Sequence, residues 1–238
     1  MKIYLKKIIR KIKRILLGEK SYFGNSIPFF VDSHSINSYS QYQEDLIIDS
    51  YFKNKLKGNY VDIGAYDPNE LSNTKKFYLK GWSGINIDPN LSAIEIFNQE
   101  RDRDLNLNIG ISLIEGKEIF YEMNYKTLST FSSNDAIQST STFKGAKIIN
   151  SYEVDCKKLS TILDDYKINV DFLSIDVEGY ELQVLNSNNW QKHRPELIII
   201  EINRNTSEIF NYMKSIDYKL IYNNHTNGIF LDLNKIIT

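Results

Sequence analysis

At 238 residues the chain is long enough for one well-buried domain with extensions. Its 42% hydrophobic and 25% charged residues are ordinary for a globular protein, and it contains no run of about 18 uncharged apolar residues to span a membrane. A net charge of -1 conceals an asymmetry: residues 1–20 carry eight Lys/Arg against Glu19, so the remainder is acidic and ill suited to nucleic acid, whose phosphates need a basic face.

At the N-terminus Leu5, Ile8, Ile9, Ile12, Ile15 and Leu16 fall on one helical face, with Lys and Arg on the others. Residues 1–17 are expected to form a basic amphipathic helix that lies on an anionic membrane surface or packs on the domain or a partner chain, the remaining alternative being a disordered tail. Its charges interrupt the apolar core a secretory signal requires. Residues 18–39, with Gly18, Gly24, Pro28 and several Ser and Asn, read as a linker to a single domain over 40–238. The lone cysteine, Cys156, excludes an internal disulfide and suits a reducing cytoplasm, with the N-terminal helix peripheral at the inner face of the membrane. Within the strand-like run Tyr152–Cys156 it reads as a small, semi-buried apolar residue.

Helical and strand patterns then alternate. Residues 41–56 read as a helix, Asn59–Ile63 as a short buried strand, Leu71–Leu79 as a helix and Ser83–Ile87 as a second strand. A helix over Ala93–Glu100 and a third strand over Leu105–Ile111 follow, then a strand over Lys117–Met123. Residues 124–150, rich in Ser, Thr, Asn and Gly, read as a mobile loop or lid. Leu159–Tyr166, Tyr180–Leu185 and Ile209–Lys214 should be helical, Val170–Ile175 and Leu197–Ile202 central strands, and Tyr218–Tyr222 with Gly228–Leu233 a closing hairpin. Apolar strands separated by helices predict a doubly wound α/β fold with a mostly parallel sheet.

In such a sheet ligands bind beyond the carboxyl ends of the strands. Four predicted strands end in an acid: Asp62, Asp88, Asp176 and Glu201. Gly64 lets the backbone approach a ligand closely, and a neighbouring carboxylate can pair with a cation. Ala65-Tyr66-Asp67-Pro68 does not supply the G-x-G-x-x-G of a phosphate-binding turn, and Asp67 disfavours a pyrophosphate further. Asp88 can accept the two ribose hydroxyls of an adenosine cofactor, or it can cap the next helix with Pro89 and Asn90.

Three strings carry more information together than any one of them: Tyr60–Pro68 with Ser72-Asn73-Thr74, then Gly81–Pro89, then Asp171–Gly179, with Gln43-Glu44-Asp45 upstream. From about Ser40 to Glu201 the chain resembles the FkbM family of methyltransferases. The resemblance implies a Rossmann-like class I methyltransferase fold, with a mostly parallel seven-stranded sheet and a C-terminal antiparallel hairpin. It also implies S-adenosylmethionine as methyl donor and usually a hydroxyl acceptor. Carried over by position, Asp62, Gly64 and Ala65 match the cofactor loop and Asp88 the ribose-binding acid. Asn108 sits where an adenine neighbour is expected, and Gln43, Glu44 and Asp45 match a family signature near the methionine end. Tyr66-Asp67 departs from the family's pattern after Gly-Ala, which bears on substrate contacts.

An alcohol acceptor needs a positioned base or a metal. Asp176 or Glu178 can serve as the base, and His225 in the Asn223–Gly228 loop is a further candidate, although a loop histidine is more often simply exposed. Asp176 and Glu201, at adjacent strand ends, can instead hold Mg²⁺ or Mn²⁺. The expected function is O-methylation of a sugar or nucleotide-sugar, in surface polysaccharide biosynthesis. The alternatives are a different small acceptor, either an amine or a lipid-linked glycan, and a catalytically silent membrane-docked interaction protein of the same fold.

Overall fold

The apolar runs become the centre of the fold in the computed structural model, which describes residues 38–235. The chain passes through α1 (Glu44–Tyr51), β1 (Asn59–Ile63), α2 (Lys75–Leu79), β2 (Ser83–Ile87), α3 (Leu91–Glu100), β3 (Leu105–Leu107), β4 (Gly110–Ile111) and β5 (Gly116–Met123). It continues through α4 (Ser133–Thr142), β6 (Ile148–Lys157), α5 (Leu159–Tyr166), β7 (Phe172–Ile175), α6 (Glu181–Asn186), β8 (Leu197–Glu201), α7 (Thr206–Ser215), β9 (Tyr218–Asn223) and β10 (Asn227–Asp232). The proposed helix over 1–17 and all of the 18–39 linker except Ser38 and Tyr39 lie outside the described residues.

The main sheet has seven strands in the order β3-β2-β1-β7-β8-β10-β9. The first five run parallel, and β10 is antiparallel to both β8 and β9. From β1 the chain winds outward to β2 and β3, then returns to β7 on the other side of β1. That reversal opens a crevice beyond Ile63 and Ile175, where a doubly wound sheet binds its ligands.

Successive side chains alternate between two cores. Val61, Ile63, Leu173, Ile175, Ile198 and Ile200 pack with Leu159, Ile162, Val184, Ile209 and Met213 of α5, α6 and α7. On the opposite face Tyr60, Phe172, Leu197, Ile199 and Ile229 pack with Ile47, Ile48 and Phe77 of α1 and α2, and with Trp82. Both faces are covered, so the strands carry no solvent-facing polar alternation.

The structure differs from the sequence reading in four places. The predicted helix 41–56 is only Glu44–Tyr51, because Gln43 adopts a left-handed conformation (φ 72°) and starts it late. The predicted helix 71–79 shortens to Lys75–Leu79, since Tyr66 and Leu71 both have positive φ and the Asp67 carboxylate accepts from the Asn69 and Glu70 amides. The predicted third strand splits at Asn108: β3 joins the main sheet, whereas β4 joins β6 and β5 in a second, three-stranded sheet.

The fourth difference concerns 124–150, which is structured. Ser132 caps α4 by accepting from the Asp135 amide, Ala136 and Ser139 are buried, and β6 begins at Ile148. Ala136 packs with Met123 and Ala146 under the β5–β6 hairpin. Composition misleads here because Ser and Thr favour turns intrinsically, while a few small buried residues suffice to dock a helix. Cys156 lies in β6, almost fully buried, and burial pushes its thiol up to about 12, which removes it as a nucleophile near neutral pH.

Candidate active site at the carboxyl ends of the parallel strands

A cavity of about 430 Å³ lies over the switch point. Asp62, Gly64, Ala65, Asp88, Asp176, Glu178 and Glu201 all line it, drawn from β1, β2, β7, β8 and the turns that follow them.

The turn after β1 is fixed by its backbone. Gly64 has φ +77°, and its amide and that of Ala65 both donate to the Ile87 carbonyl at 2.9 and 3.2 Å. A Cβ at position 64 would stand 1.8 Å from the Asp176 carbonyl oxygen, so glycine is required there both for φ and for the close approach of β1 to the end of β7. Asp62 is buried beneath the turn and accepts from Thr74 Oγ1 at 2.8 Å. Burial raises its pKa; the Thr74 bond and Arg101 oppose the shift.

Asp88 ends β2 with one carboxylate oxygen accepting from the Tyr66 amide (2.9 Å) and the other from the Asn90 amide (2.8 Å). Each oxygen retains a lone pair for a further donor. Burial pushes the Asp88 carboxyl up to about 6 against these two bonds.

On the other side of the cavity Asp176, Glu178 and Glu201 bring carboxylate oxygens within 4.8 Å of one another. Burial first and acidic neighbours second push Asp176 up to about 7, Glu178 to about 8 and Glu201 to about 11. Arg204 offsets part of this: it reaches Glu178 Oε2 at 3.1 Å and Asp135 at 3.7 Å, and donates to the Glu178 carbonyl. Glu178 itself is left-handed (φ 53°), and Glu181 gathers the Val177 and Gly179 amides around it.

A family model described as the methyltransferase FkbM domain matches residues 62–225, more than half of the chain. The chain belongs to the FkbM methyltransferase family. The match supports a methyltransferase, and the α/β fold with its mostly parallel sheet is consistent with one. No curated protein matches the chain significantly.

The FkbM match opens at Asp62, the first acid of the cavity, and closes at His225. Gln43, Glu44 and Asp45 precede it and do not line the cavity. Gln43 is the bend that starts α1. Glu44, fully buried, accepts from Asn224 and Asn227 at 2.8 and 2.9 Å and ties α1 to the β9–β10 turn. Asp45 accepts from Ser38, the Tyr39 amide and Ser40, fixing the segment that precedes the helix. Their neighbour Gln41 reaches the cavity instead. Asn108 is also outside the lining: it donates to the Asp88 and Pro89 carbonyls and braces the turn after β2. His225 is exposed at the tip of the β9–β10 turn and outside the lining, while Thr226 beside it lines the cavity.

Sequence reasoning missed Arg101, Asn73, Ser174 and Arg204. Asn73 lies in one of the resembling strings and bonds Ser174 at 3.2 Å, so that string held a signal. Arg101 gave none. Fully buried at the end of α3, it donates to Thr74 (2.8 Å), Ser72 (2.9 Å) and the Pro68 carbonyl (2.6 Å), clamping the 64–74 loop above Asp62. Arg101→Met should therefore cost about 3–5 kcal/mol of stability, because Asp62 and Asp104 would lose their buried cation. Denaturant titration of the variant checks this; a loss under about 1 kcal/mol would show that the clamp is dispensable.

Proposed function

We propose that this FkbM-family protein is an S-adenosylmethionine-dependent O-methyltransferase acting on a hydroxyl of a sugar or nucleotide-sugar. One observation carries the reading: the Asp62–Gly64 turn and Asp88, at the ends of adjacent strands, open into the same cavity as the acids after β7 and β8. The strand order supports a class I methyltransferase fold. An acidic turn without a G-x-G-x-x-G fingerprint suits a sulfonium nucleoside better than a pyrophosphate.

S-adenosylmethionine supplies an activated methyl on a positively charged sulfur, which an acceptor oxygen displaces in line. Asp88 would offer its two remaining lone pairs to the ribose hydroxyls, and Gly64 and Ala65, which line the same cavity, would contact the nucleoside. Asp62, anchored by Thr74 beneath the turn, would hold the turn in place under the donor. The acceptor hydroxyl must lose its proton as the new bond forms, and Asp176, whose pKa burial raises to about 7, is our candidate for the base. Holding donor and acceptor in one cavity provides the proximity that dominates such a displacement.

Calorimetric titration with S-adenosylmethionine, with NAD in parallel, tests the donor; no binding of the first, or equal binding of the second, overturns it. A screen of nucleotide-sugars for methylated products by mass spectrometry then identifies the acceptor. Turnover of any hydroxyl acceptor separates an enzyme from a silent protein of the same fold.

Binding should depend on pH through Asp88. Its folded pKa of about 6 lies above the ordinary carboxylate value, so the charged form is complete only above pH 6. Donor affinity should weaken progressively as pH falls through about 6, whereas the same raised pKa makes Asp88 cost stability as pH rises from about 4 to 6. Calorimetry between about pH 5 and 8 reads the first effect, and a flat profile would remove Asp88 from the donor site.

A surface-polysaccharide role and a peripheral position at the membrane form the wider part of the proposal, supported by the basic, amphipathic sequence of residues 1–17. Among the described residues no helix is long and apolar enough to cross a membrane. Deleting residues 1–17 should abolish co-sedimentation with anionic liposomes; retained binding would place the contact elsewhere.

A further inference from the structure

We propose that Asp176, Glu178 and Glu201 together form a site for one hard divalent cation, Mg²⁺ or Mn²⁺, on the acceptor side of the cavity. The assignment rests on reading this cavity as the active site, but its test does not depend on methyl transfer.

Three carboxylates offer ligand oxygens within 4.8 Å of one another. Oxygens around a hard divalent ion bonded at about 2.0–2.6 Å lie about 3–5 Å apart, so the cluster is already near the size of a coordination shell. An all-oxygen donor set selects Mg²⁺, Mn²⁺ or Ca²⁺ over the softer metals.

The second observation is an orphaned atom. Glu201 is only 4% exposed and lines the cavity, yet its Oε2 has no hydrogen-bond partner. Asn203 donates to Oε1 at 2.6 Å, which fixes the carboxylate and leaves Oε2 as its unused ligand position. An orphaned buried carboxyl oxygen needs either its own proton or a cation, and a divalent ion bound there would take the proton's place.

Local charge leads to the same conclusion. Glu44, Glu181 and Asp62 lie close enough to add negative potential at Asp176. Arg204 is the cation that reaches the cluster among the described residues, and it is shared between Glu178 and Asp135. One guanidinium leaves the group short of positive charge, and a divalent ion would balance it.

The backbone also looks prepared for this role. Glu178 is held in a left-handed conformation by Arg204 on its carbonyl and by Glu181 on the flanking amides. Strain of this kind at a non-glycine residue costs of order 1–3 kcal/mol and persists only where its surroundings fix it, as Arg204 and Glu181 do here. An ion there would draw in the acceptor hydroxyl and ease its deprotonation, with Asp176 then a ligand in place of the base proposed above and the proton passing to solvent water.

The experiment uses the full chain, stripped with EDTA and titrated with Mn²⁺, followed by calorimetry and by loss of the free Mn²⁺ paramagnetic resonance signal. One Mn²⁺ per chain, with Kd below about 1 mM and displaced by Mg²⁺, is expected. Glu201→Gln, which preserves shape, should weaken it roughly tenfold or more. Should that variant fail to fold, Glu178→Gln provides the same readout from a less buried position. Absence of Mn²⁺ binding, or equal affinity in a folded variant, overturns the site. S-adenosylmethionine titrated into the same stripped protein keeps the two readings apart, because donor binding without Mn²⁺ binding refutes the cation site alone.

Discussion

Gly64→Ala should destabilise the protein by about 3–5 kcal/mol, since two costs fall on one atom. The added methyl must accept φ +77°, and it would stand 1.8 Å from the Asp176 carbonyl oxygen. Relief requires β1 and β7 to separate at the point where they pair in register, Ile63 with Ile175. The melting temperature should fall by about 10 °C or more, and donor binding should be lost even below the new midpoint. Gly81→Ala is the built-in control: Gly81 has φ +89° but nothing within 4 Å of an added methyl, so it bears only the conformational cost of about 1–2 kcal/mol. Equal losses at the two positions would show that the close approach to Asp176 contributes nothing.

Asp88→Ala carries the second large expectation, a weakening of S-adenosylmethionine binding by about 100-fold, or about 3 kcal/mol. Two charge-assisted hydrogen bonds to the ribose would go, and the Tyr66 and Asn90 amides that Asp88 accepts would also be released. Asp88→Asn keeps one oxygen and the shape, and should lose only about tenfold. Calorimetry at about pH 7.5, above the Asp88 pKa of about 6, gives the full difference. Unchanged affinity in the alanine variant would move the ribose elsewhere in the cavity and leave Asp88 as the acceptor that fixes the Tyr66 and Asn90 amides.

Asp62, Gly64, Asp88, Asp176 and Glu201 were legible because strand ends are visible as the last polar residue of an apolar run, and a parallel sheet gathers those ends on one edge. The family match over 62–225 spans most of the strings that carried the resemblance, though not Gln43-Glu44-Asp45. Gln43, Glu44 and Asp45 also stood out, and the structure leaves them outside the cavity lining, where Glu44 accepts from Asn227 at the start of β10 and Asp45 from the Tyr39 amide. A motif shows that residues matter; it does not show which neighbour they face.

The segment 124–150 and Arg101 were not legible, for a different reason. Residues 126–131 and Phe143 line the cavity only because α4 docks under the β5–β6 hairpin, a contact made by Met123, Ala136 and Ala146. Arg101 reads as one more surface charge in Arg101-Asp102-Arg103-Asp104, yet packing buries it entirely beneath the 64–74 loop. Neither feature is periodic, and both depend on partners far away in the chain.

The sequence by itself determined the α/β alternation, the parallel strands and the acids at their ends, because burial on both faces and strand-end polarity are written locally. Only the tertiary structure decided that Glu178 joins Asp176 and Glu201 in one cluster, that Gly64 sits against the Asp176 carbonyl, and that His225 stays outside the lining. Those are distances between segments far apart in the chain, set by strand order and register, and a pattern of period two or 3.6 carries neither.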